Sequence, residues 1–443
     1  MTTNFPRLGE RVMRRLDELA ADTDEAGKIT RLFLSPSHKL AMRRVRGFME
    51  AARLAVEEDD IGNVVGRLKS SAPDAPTFIL GSHIDSVRDA GRYDGGFGVL
   101  SAIEVVEELR RRGVELPFAL EVVAFGDEEG VRFPATLSGS RSLAGTFDFE
   151  SLDAKDESGI SLAEALRGFG CDTGAIGKIA RDPARICGYL ESHIEQGPVL
   201  EAENLALGVV TAIAGMCRFN VMVEGEAGHA GTVPMERRKD PLAGSAAMIL
   251  AVEDEARHAH EVVATVGLIE ALPGAINVIP AKVRFSVDLR APTDEVRERA
   301  KAKVEASLRA IAKERGLDIT FTPLDEAKAT PCDEGLMREL SEALARQGHR
   351  VFALPSGAGH DAMAMAKLCP VAMLFLRCKG GISHNPAEAI TVEDAQAAIE
   401  VMLDFLLHFR PAKGQETKNA REARLATAPP TSLANAHPSS QRA

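Results

Sequence analysis

Residues 77–98 read TFILGSHIDSVRDAGRYDGGFG, and the fold assignment starts from them. The apolar run TFIL has the length and composition of a buried strand, and His83, Asp85 and Asp94 follow it on a Gly-rich turn. Comparable apolar runs alternate with helical patterns along the chain: NVVGRLK at 63–69, LPFALEVVAFGDEE at 116–129, ICGYLESHIEQG at 186–197 and VAMLFLR at 371–377. This alternation predicts an α/β fold with a mostly parallel sheet covered by helices.

A second pattern interrupts this alternation. Between residues 216 and 326 the order is strand, helix, two strands, helix and strand, which is typical of a split βαβ, ferredoxin-like α+β unit. The sequence therefore predicts a catalytic domain at 1–215 and 327–410, with a smaller domain inserted at 216–326. Residues 411–443 lack apolar periodicity and are rich in Pro, Ser, Ala and charge, so we expect a disordered tail.

Composition narrows the class of protein. The net charge of −12 argues against a nucleic-acid partner, because such proteins present basic patches. No apolar run approaches the roughly 18 residues that span a bilayer, and the charged N-terminal segment does not resemble a signal peptide. The six cysteines are scattered without a CxxC pair, which is typical of reduced thiols. These observations predict a soluble cytoplasmic enzyme that binds neither nucleic acid nor membrane.

Imidazoles and carboxylates follow the predicted strands, where parallel sheets bind their ligands. Together these groups suit Zn²⁺ or Mn²⁺, and a carboxylate with two oxygens can be shared by two ions. Asp94, among glycines that let the backbone turn sharply, is the candidate for the shared ligand. The predicted ligands are His83, Asp94 and His193 for one ion, and Asp94, Glu129 and His384 for the other.

Two further acids have predicted roles beside the ligands. Neighbouring side chains on an extended or turning backbone point apart, so Glu129 can hold a metal while Glu128 acts as general base. Asp85 lies two residues after His83, on the same strand face, and can accept the other ring N–H of that histidine.

Each feature also has a simpler interpretation. A single histidine at a strand end is most often structural, an acid pair after a strand is most often a solvated loop, and DGG alone is a turn signal. The metal site is favoured because the five predicted ligands share one kind of position: all lie at strand ends or Gly-rich turns outside the inserted segment.

The motifs GSHIDSV, YDGGFG, GDEEGVRF, ESHIEQGP, GEAGHAG and GGISHNPAE resemble a known family, the dinuclear-metal peptidases and amidohydrolases that include carboxypeptidase G and acetylornithine deacetylase. The resemblance covers about residues 8–410. It is closest to the carbamoyl-cleaving branch, because the peptidase branch usually has an acid where this chain has His193. It implies two divalent ions per subunit, Zn or Mn, and an exopeptidase-like catalytic domain whose inserted domain is a lid that forms a homodimer.

The resemblance also implies a substrate-binding set: Gln196, His229, Asn277, Arg290, Gly359 and His360. Arg290 can hold a substrate carboxylate through two parallel hydrogen bonds, although an arginine at a strand end is as often a surface salt bridge. His229 can donate to the oxyanion formed during attack, and in the family such a histidine can reach the partner subunit's site. Its simpler interpretation is a turn histidine.

A ureido carboxylate is the substrate that this resemblance implies. TRLFLSP and LPSGAGHDAM resemble allantoate amidohydrolases more closely, so we expect cleavage of the carbamoyl C–N bond of allantoate with release of ammonia and carbon dioxide. N-carbamoyl-L-amino-acid hydrolase and β-ureidopropionase are the alternatives. A metal dipeptidase and a catalytically inactive interaction module remain open.

Overall fold

The structure is a computed structural model that describes residues 7–411. The predicted tail, apart from Pro411, lies outside the described residues. Eleven α-helices occur in the described part: α1 Leu8–Ala20, α2 Pro36–Ala51, α3 Gly96–Arg111, α4 Ser138–Leu143, α5 Leu162–Phe169, α6 Val199–Ala202, α7 Pro241–His258, α8 Asp294–Arg315, α9 Glu334–Arg346, α10 Ala362–Met365 and α11 Val392–His408.

The same residues form sixteen strands: β1 Ala55–Glu58, β2 Val64–Leu68, β3 Thr77–His83, β4 Ala119–Phe125, β5 Ile186–Ile194, β6 Leu207–Ile213, β7 Gly215–Glu224, β8 Gly228–His229, β9 Val263–Thr265, β10 Ile269–Leu272, β11 Val278–Ile279, β12 Lys282–Ala291, β13 Asp318–Ala327, β14 Thr330–Pro331, β15 Ala353–Ser356 and β16 Val371–Leu376.

The larger sheet has nine strands and an all-parallel centre. Its order is β1-β2-β4-β3-β5-β16-β6-β14, with β15 paired to β6. The central strands β4, β3, β5 and β16 run parallel, whereas β1, β2 and β14 add antiparallel pairs toward the edges. The predicted α/β class with a mostly parallel sheet is confirmed.

Both faces of this sheet are buried, which explains its continuous apolar strands. Along β3, Phe78 and Leu80 enter one core with helices α1, α3, α9 and α11, and Ile79 enters a second core on the opposite face. Because strand side chains alternate between faces, one apolar run supplies both cores.

A second sheet lies within residues 215–327. Five strands pair in the order β10-β12-β7-β13, with β9 added beside β12, and helices α7 and α8 pack on one face. The long strands alternate in burial, so Val221 and Phe285 pack under the helices and the polar residues between them face away. Three strands of this sheet, β9, β10 and β12, lie between α7 and α8 where two were expected. The division into domains stays a prediction.

A short ribbon accompanies this second sheet. Strands β8 and β11 pair antiparallel, with His229 opposite Val278. No helix among residues 7–411 has both the length and the apolar content needed to cross a membrane.

Candidate metal centre and active site

The predicted ligands meet at the carboxyl edge of the parallel strands. His83 ends β3, His193 is the penultimate residue of β5, and Glu128 and Glu129 follow β4. His384 lies in the segment after β16. Because these strands run parallel, their ends meet at one edge of the sheet, although the residues are up to three hundred positions apart in the chain.

Asp94 is at the centre of this cluster. Its Oδ1 lies 3.3 Å from Nε2 of His83 and 3.1 Å from Nε2 of His193. Its Oδ2 lies 3.2 Å from Nε2 of His384, which is 3.5 Å from Oε2 of Glu129. Donor atoms of the two triads predicted from the sequence lie within 4.8 Å of one another in each case. The structure thus brings all five predicted ligands together; their roles as ligands remain a prediction.

Two of the imidazoles have a tautomer that suits metal binding. Nδ1 of His83 is 3.1 Å from the main-chain oxygen of Asp85, and Nδ1 of His193 is 2.9 Å from that of Ile194. A carbonyl oxygen only accepts, so each Nδ1 carries a proton, and Nε2, which faces Asp94, is the nitrogen left to bind an ion.

The spacing of the donor atoms also fits a metal ion. Two ligands bound about 2.0–2.1 Å from a tetrahedral ion are about 3.3 Å apart. The imidazole–carboxylate separations of 3.1–3.5 Å agree with this value. Within residues 7–411, no lysine or arginine forms an ion pair with Asp94, Glu128 or Glu129, so these buried charges call for another cation.

The acids of the cluster differ in the direction in which their pKa values are shifted. Burial opposes ionisation of Asp94, but hydrogen bonds from His193, His384 and His83 outweigh it and hold the pKa of Asp94 well below its usual range.

Glu128 responds in the opposite way. Burial, with the negative charges of Glu129 and Asp361, raises the pKa of Glu128 well above its usual range, although His83 acts against this. Oε2 of Glu128 is 4.0 Å from Nε2 of His83, so a basic carboxylate stands beside the ligands.

Asp85 acts differently from the expectation. Its main-chain oxygen, and not its carboxylate, takes the hydrogen bond from His83, whose Nδ1 is 3.6 Å from Oδ1. The carboxylate instead accepts from the backbone N–H groups of Glu128 and Glu129, each at 3.1 Å. By accepting from both N–H groups, Asp85 holds in place the backbone turn that carries the two acids.

A second group of polar residues, missed in the sequence, supports Asp94. Glu388 accepts from the backbone N–H of Tyr93 at 2.7 Å and of Asp94 at 3.2 Å, and Ser383 Oγ lies 2.9 Å from Asp94 Oδ2. Glu388 and Ser383 both lie in GGISHNPAE beside His384. Their closeness in sequence to a predicted ligand could have indicated them.

A cavity of about 480 Å³ opens onto the cluster. Of the predicted substrate-binding residues, Gln196, Arg290 and Gly359 line it. Gln196 Nε2 donates to Asp94 Oδ2 at 2.9 Å, and a Cβ on Gly359 would lie 3.8 Å from Glu128 Oε1. Arg290 is held by Asp288, with Nε–Oδ1 at 2.9 Å and Nη2–Oδ2 at 3.0 Å.

The other three predicted substrate residues lie elsewhere. His360 is buried behind the cluster, its ring 4.5 Å from that of His193 and its Nε2 2.8 Å from Ser356 Oγ. His229 and Asn277 are exposed on the β8–β11 ribbon and do not line the cavity. Within one chain, the structure therefore does not bring these three into contact with the cavity.

An α/β fold that gathers imidazoles, carboxylates and one further acid at the carboxyl edge of its parallel strands is suited to metal-assisted hydrolysis. Residues 79–408 match Peptidase family M20/M25/M40, and the chain belongs to this family. It is an enzyme of a hydrolase family, and its relatives are named amidohydrolases.

Two relatives and two solved structures illustrate the likeness. The chain is 42% identical to N-carbamoyl-L-amino acid amidohydrolase of Geobacillus stearothermophilus, over 89% of this chain and 97% of that one. It is 40% identical to allantoate deiminase of Arabidopsis thaliana, over 90% and 82%. A hydantoinase/carbamoylase family amidase from Burkholderia multivorans superposes with a TM-score of 0.84 at 34% identity, covering 90% and 97%. AtUAH in complex with (S)-hydroxyglycine gives 0.72 at 33%, covering 91% and 98%.

Proposed function

We propose that this enzyme hydrolyses the carbamoyl C–N bond of a ureido carboxylate, with allantoate as the preferred substrate. The observation that carries the proposal is one cavity that contains the imidazole–carboxylate cluster, the free acid Glu128 and the guanidinium of Arg290. The cluster suits attack on a carbonyl, and the arginine suits a carboxylate nearby.

Two divalent ions, Zn²⁺ or Mn²⁺, fit the donor set, with His83, Asp94 and His193 for one and Asp94, Glu129 and His384 for the other. When bound, they polarise the scissile carbonyl and make water more acidic. Asp85 accepts from the backbone N–H groups of Glu128 and Glu129 and so holds the turn that carries both acids. Glu129 is a ligand in this proposal and Glu128 transfers the proton.

Glu128 moves the proton in this reaction. Its carboxylate takes a proton from the attacking water, whose oxygen forms the new bond to the carbamoyl carbon. Arg290 holds the substrate carboxylate. Gln196 donates through Nε2 to Asp94 and Ser383, so it offers its Oε1 as an acceptor to an N–H of the ureido group. Glu128 then returns the proton to the leaving nitrogen as the C–N bond breaks. The released carbamic acid decomposes to ammonia and carbon dioxide.

His229 and Asn277 act from the partner subunit in this proposal. Both are exposed on the ribbon of the second sheet, and Ile276 next to them is fully exposed. A homodimer formed through residues 216–326, the lid of this proposal, would bring them to the partner's cavity, where His229 donates to the oxyanion. We also propose that the enzyme acts in the cytoplasm, because all six cysteines are free thiols, which suits a reducing compartment.

Complementation between two inactive variants tests this arrangement. His229→Ala and Glu128→Gln each remove one half of every site, whereas their heterodimer has one complete site. We expect the mixed, refolded sample to regain measurable ammonia release. Activity that stays absent in a verified heterodimer, or His229→Ala that is fully active alone, would contradict the shared site.

The substrate is tested directly by ammonia release from allantoate, N-carbamoyl-β-alanine and several N-carbamoyl-L-amino acids, with Mn²⁺ and with Zn²⁺. The highest kcat/KM is expected for allantoate. N-carbamoyl-L-amino acids are the second candidate, because the relative named for them is equally similar. Free amino acids from dipeptides without ammonia would indicate a dipeptidase, and no bound metal with no turnover would indicate an inactive interaction module.

A further inference from the structure

Arg218 is a second arginine at the edge of the active-site cavity. On β7 it stands opposite Asp288 of β12 and Asp325 of β13, on the face of the second sheet that α7 and α8 leave uncovered. It lines the cavity of the metal cluster and also a neighbouring cavity of about 550 Å³. Arg290 and Gly357 line both cavities too, so the two arginines mark the junction between them.

The hydrogen bonds of the two arginines leave several N–H groups available. Arg218 donates through Nε to Oδ2 of Asp288 at 2.8 Å, and its Nη1 is 3.7 Å from Asp325, beyond hydrogen-bond distance. Its terminal nitrogens thus have no hydrogen-bond partner within residues 7–411. Arg290 uses three of its five N–H groups, on Asp288 and on the Gly357 carbonyl at 2.6 Å.

Asp288 holds the two guanidinium groups side by side. Its Oδ2 accepts from both, at 2.8 Å from Arg218 and 3.0 Å from Arg290. A substrate whose carboxylate is bound by Arg290 therefore places the next carbon, and any substituent on it, within reach of Arg218. The neighbouring cavity provides room for that substituent.

Resting on the proposed function, we propose that Arg218 is a specificity-determining residue that binds the substituent on the carbon next to the substrate carboxylate. It favours substituents with a carbonyl or carboxylate oxygen over aliphatic ones, because a charged donor without such an acceptor loses its water on binding and gains nothing. The second ureido arm of allantoate has such an oxygen, and an aliphatic side chain does not.

The simpler alternative is that Arg218 forms a cross-strand ion pair that only stabilises the sheet. The chain contains a matched example, since Arg284 of β12 pairs with Glu270 at 2.8 Å on the same face of the sheet. Its side chain is 45% exposed, against 43% for Arg218, and it lines neither cavity.

The test compares Arg218→Met with Arg284→Met on two nearly isosteric substrates, N-carbamoyl-L-asparagine and N-carbamoyl-L-leucine. In the wild type kcat/KM should favour asparagine, and Arg218→Met should lower the asparagine-to-leucine ratio at least about tenfold, the effect of losing one charged hydrogen bond. Arg284→Met should leave the ratio unchanged. Arg218→Gln keeps a shorter donor, so its asparagine-to-leucine ratio should lie between those of Arg218→Met and Arg284→Met. It replaces Arg218→Met in the test if the methionine variant does not fold.

A ratio that stays within about twofold in a folded Arg218→Met enzyme would overturn this inference and leave the proposed function intact. Wild-type turnover of allantoate tests the proposed function separately. A wild-type enzyme that releases ammonia from none of these compounds would contradict both the proposed function and the inference about Arg218.

Discussion

Gly95→Ala should destroy the first predicted metal site through one added methyl group. Gly95 has φ +61° and ψ −51°, and the N–H of Gly96 bonds to the carbonyl of Asp94 at 2.6 Å across it, which is a γ-turn of the kind that L side chains avoid. A Cβ there would lie 2.5 Å from Nδ1 and Nε2 of His83, and closer still to Cε1.

The size of the effect follows from these distances. Ordinary contact begins near 3.4 Å, so the ring of His83 or the turn must move by about 1 Å. Metal–ligand distances tolerate only about 0.2 Å, so His83 would no longer reach an ion shared with Asp94 and His193. Changes to groups that merely orient a ligand lower metal affinity about 10–100-fold, and displacing the ligand itself should exceed 100-fold. The backbone strain adds about 1–3 kcal/mol of lost stability.

Gly113→Ala is the control, because Gly113 has φ +66° and open space where its Cβ would be. It should lose about 1–2 kcal/mol of stability and bind metal like the wild type. Metal content after dialysis, competition with a chelator and urea unfolding compare the three proteins. Wild-type metal affinity in a folded Gly95→Ala protein would refute the reasoning.

Three further variants follow from the structure. Glu128→Gln should keep the wild-type metal content and lower kcat about 10²–10⁴-fold in the ammonia assay, since an amide is not basic. Arg290→Lys should raise KM about tenfold or more, because an ammonium group lacks the planar pair of donors. Burial first, and the charge of Arg31 second, lower the pKa of His38 from 6.5 to about 3. The unfolded chain therefore binds a proton that the folded chain refuses, so stability is complete above about pH 6.5 and falls toward pH 3. Urea unfolding should show about 2 kcal/mol of this loss between pH 7 and pH 5 in the wild type, and His38→Asn should lack it.

Each of these has an outcome that contradicts it. An active Glu128→Gln enzyme would mean that another group is the base. An unchanged KM in Arg290→Lys would remove Arg290 from the substrate site. Equal loss of stability on acidification in wild type and His38→Asn would mean that His38 does not titrate differently in the folded state.

The sequence was sufficient for the central sheet and for the grouping of the five candidate ligands, whose roles as ligands stay a prediction. Buried strands leave continuous apolar runs, and His83, His193 and Glu129 end or closely follow such runs. A local pattern therefore indicated residues that meet only in the folded chain. The antiparallel edges of the sheet were not predicted, because the direction of a strand depends on the strands it pairs with. An apolar run does not indicate that direction.

The details that failed depend on distances between segments. The carboxylate of Asp85 was expected on the ring of His83, yet it binds backbone donors more than forty residues away. Arg218 was missed in the sequence, because its role depends on Asp288, seventy positions further along. His229, Asn277 and His360 do not line the cavity of their own chain, and their roles in substrate binding stay a prediction.

The position of β16 sets an order of events during synthesis. This strand is made after the whole second sheet, yet it lies between β5 and β6, which are made long before it. A chain still being translated therefore has a gap in its main sheet until about residue 376 leaves the ribosome, and His384 follows last among the candidate ligands. With the predicted ligand set, a nascent chain could not hold both ions before His384 is made, and residues 371–411 complete the assembly.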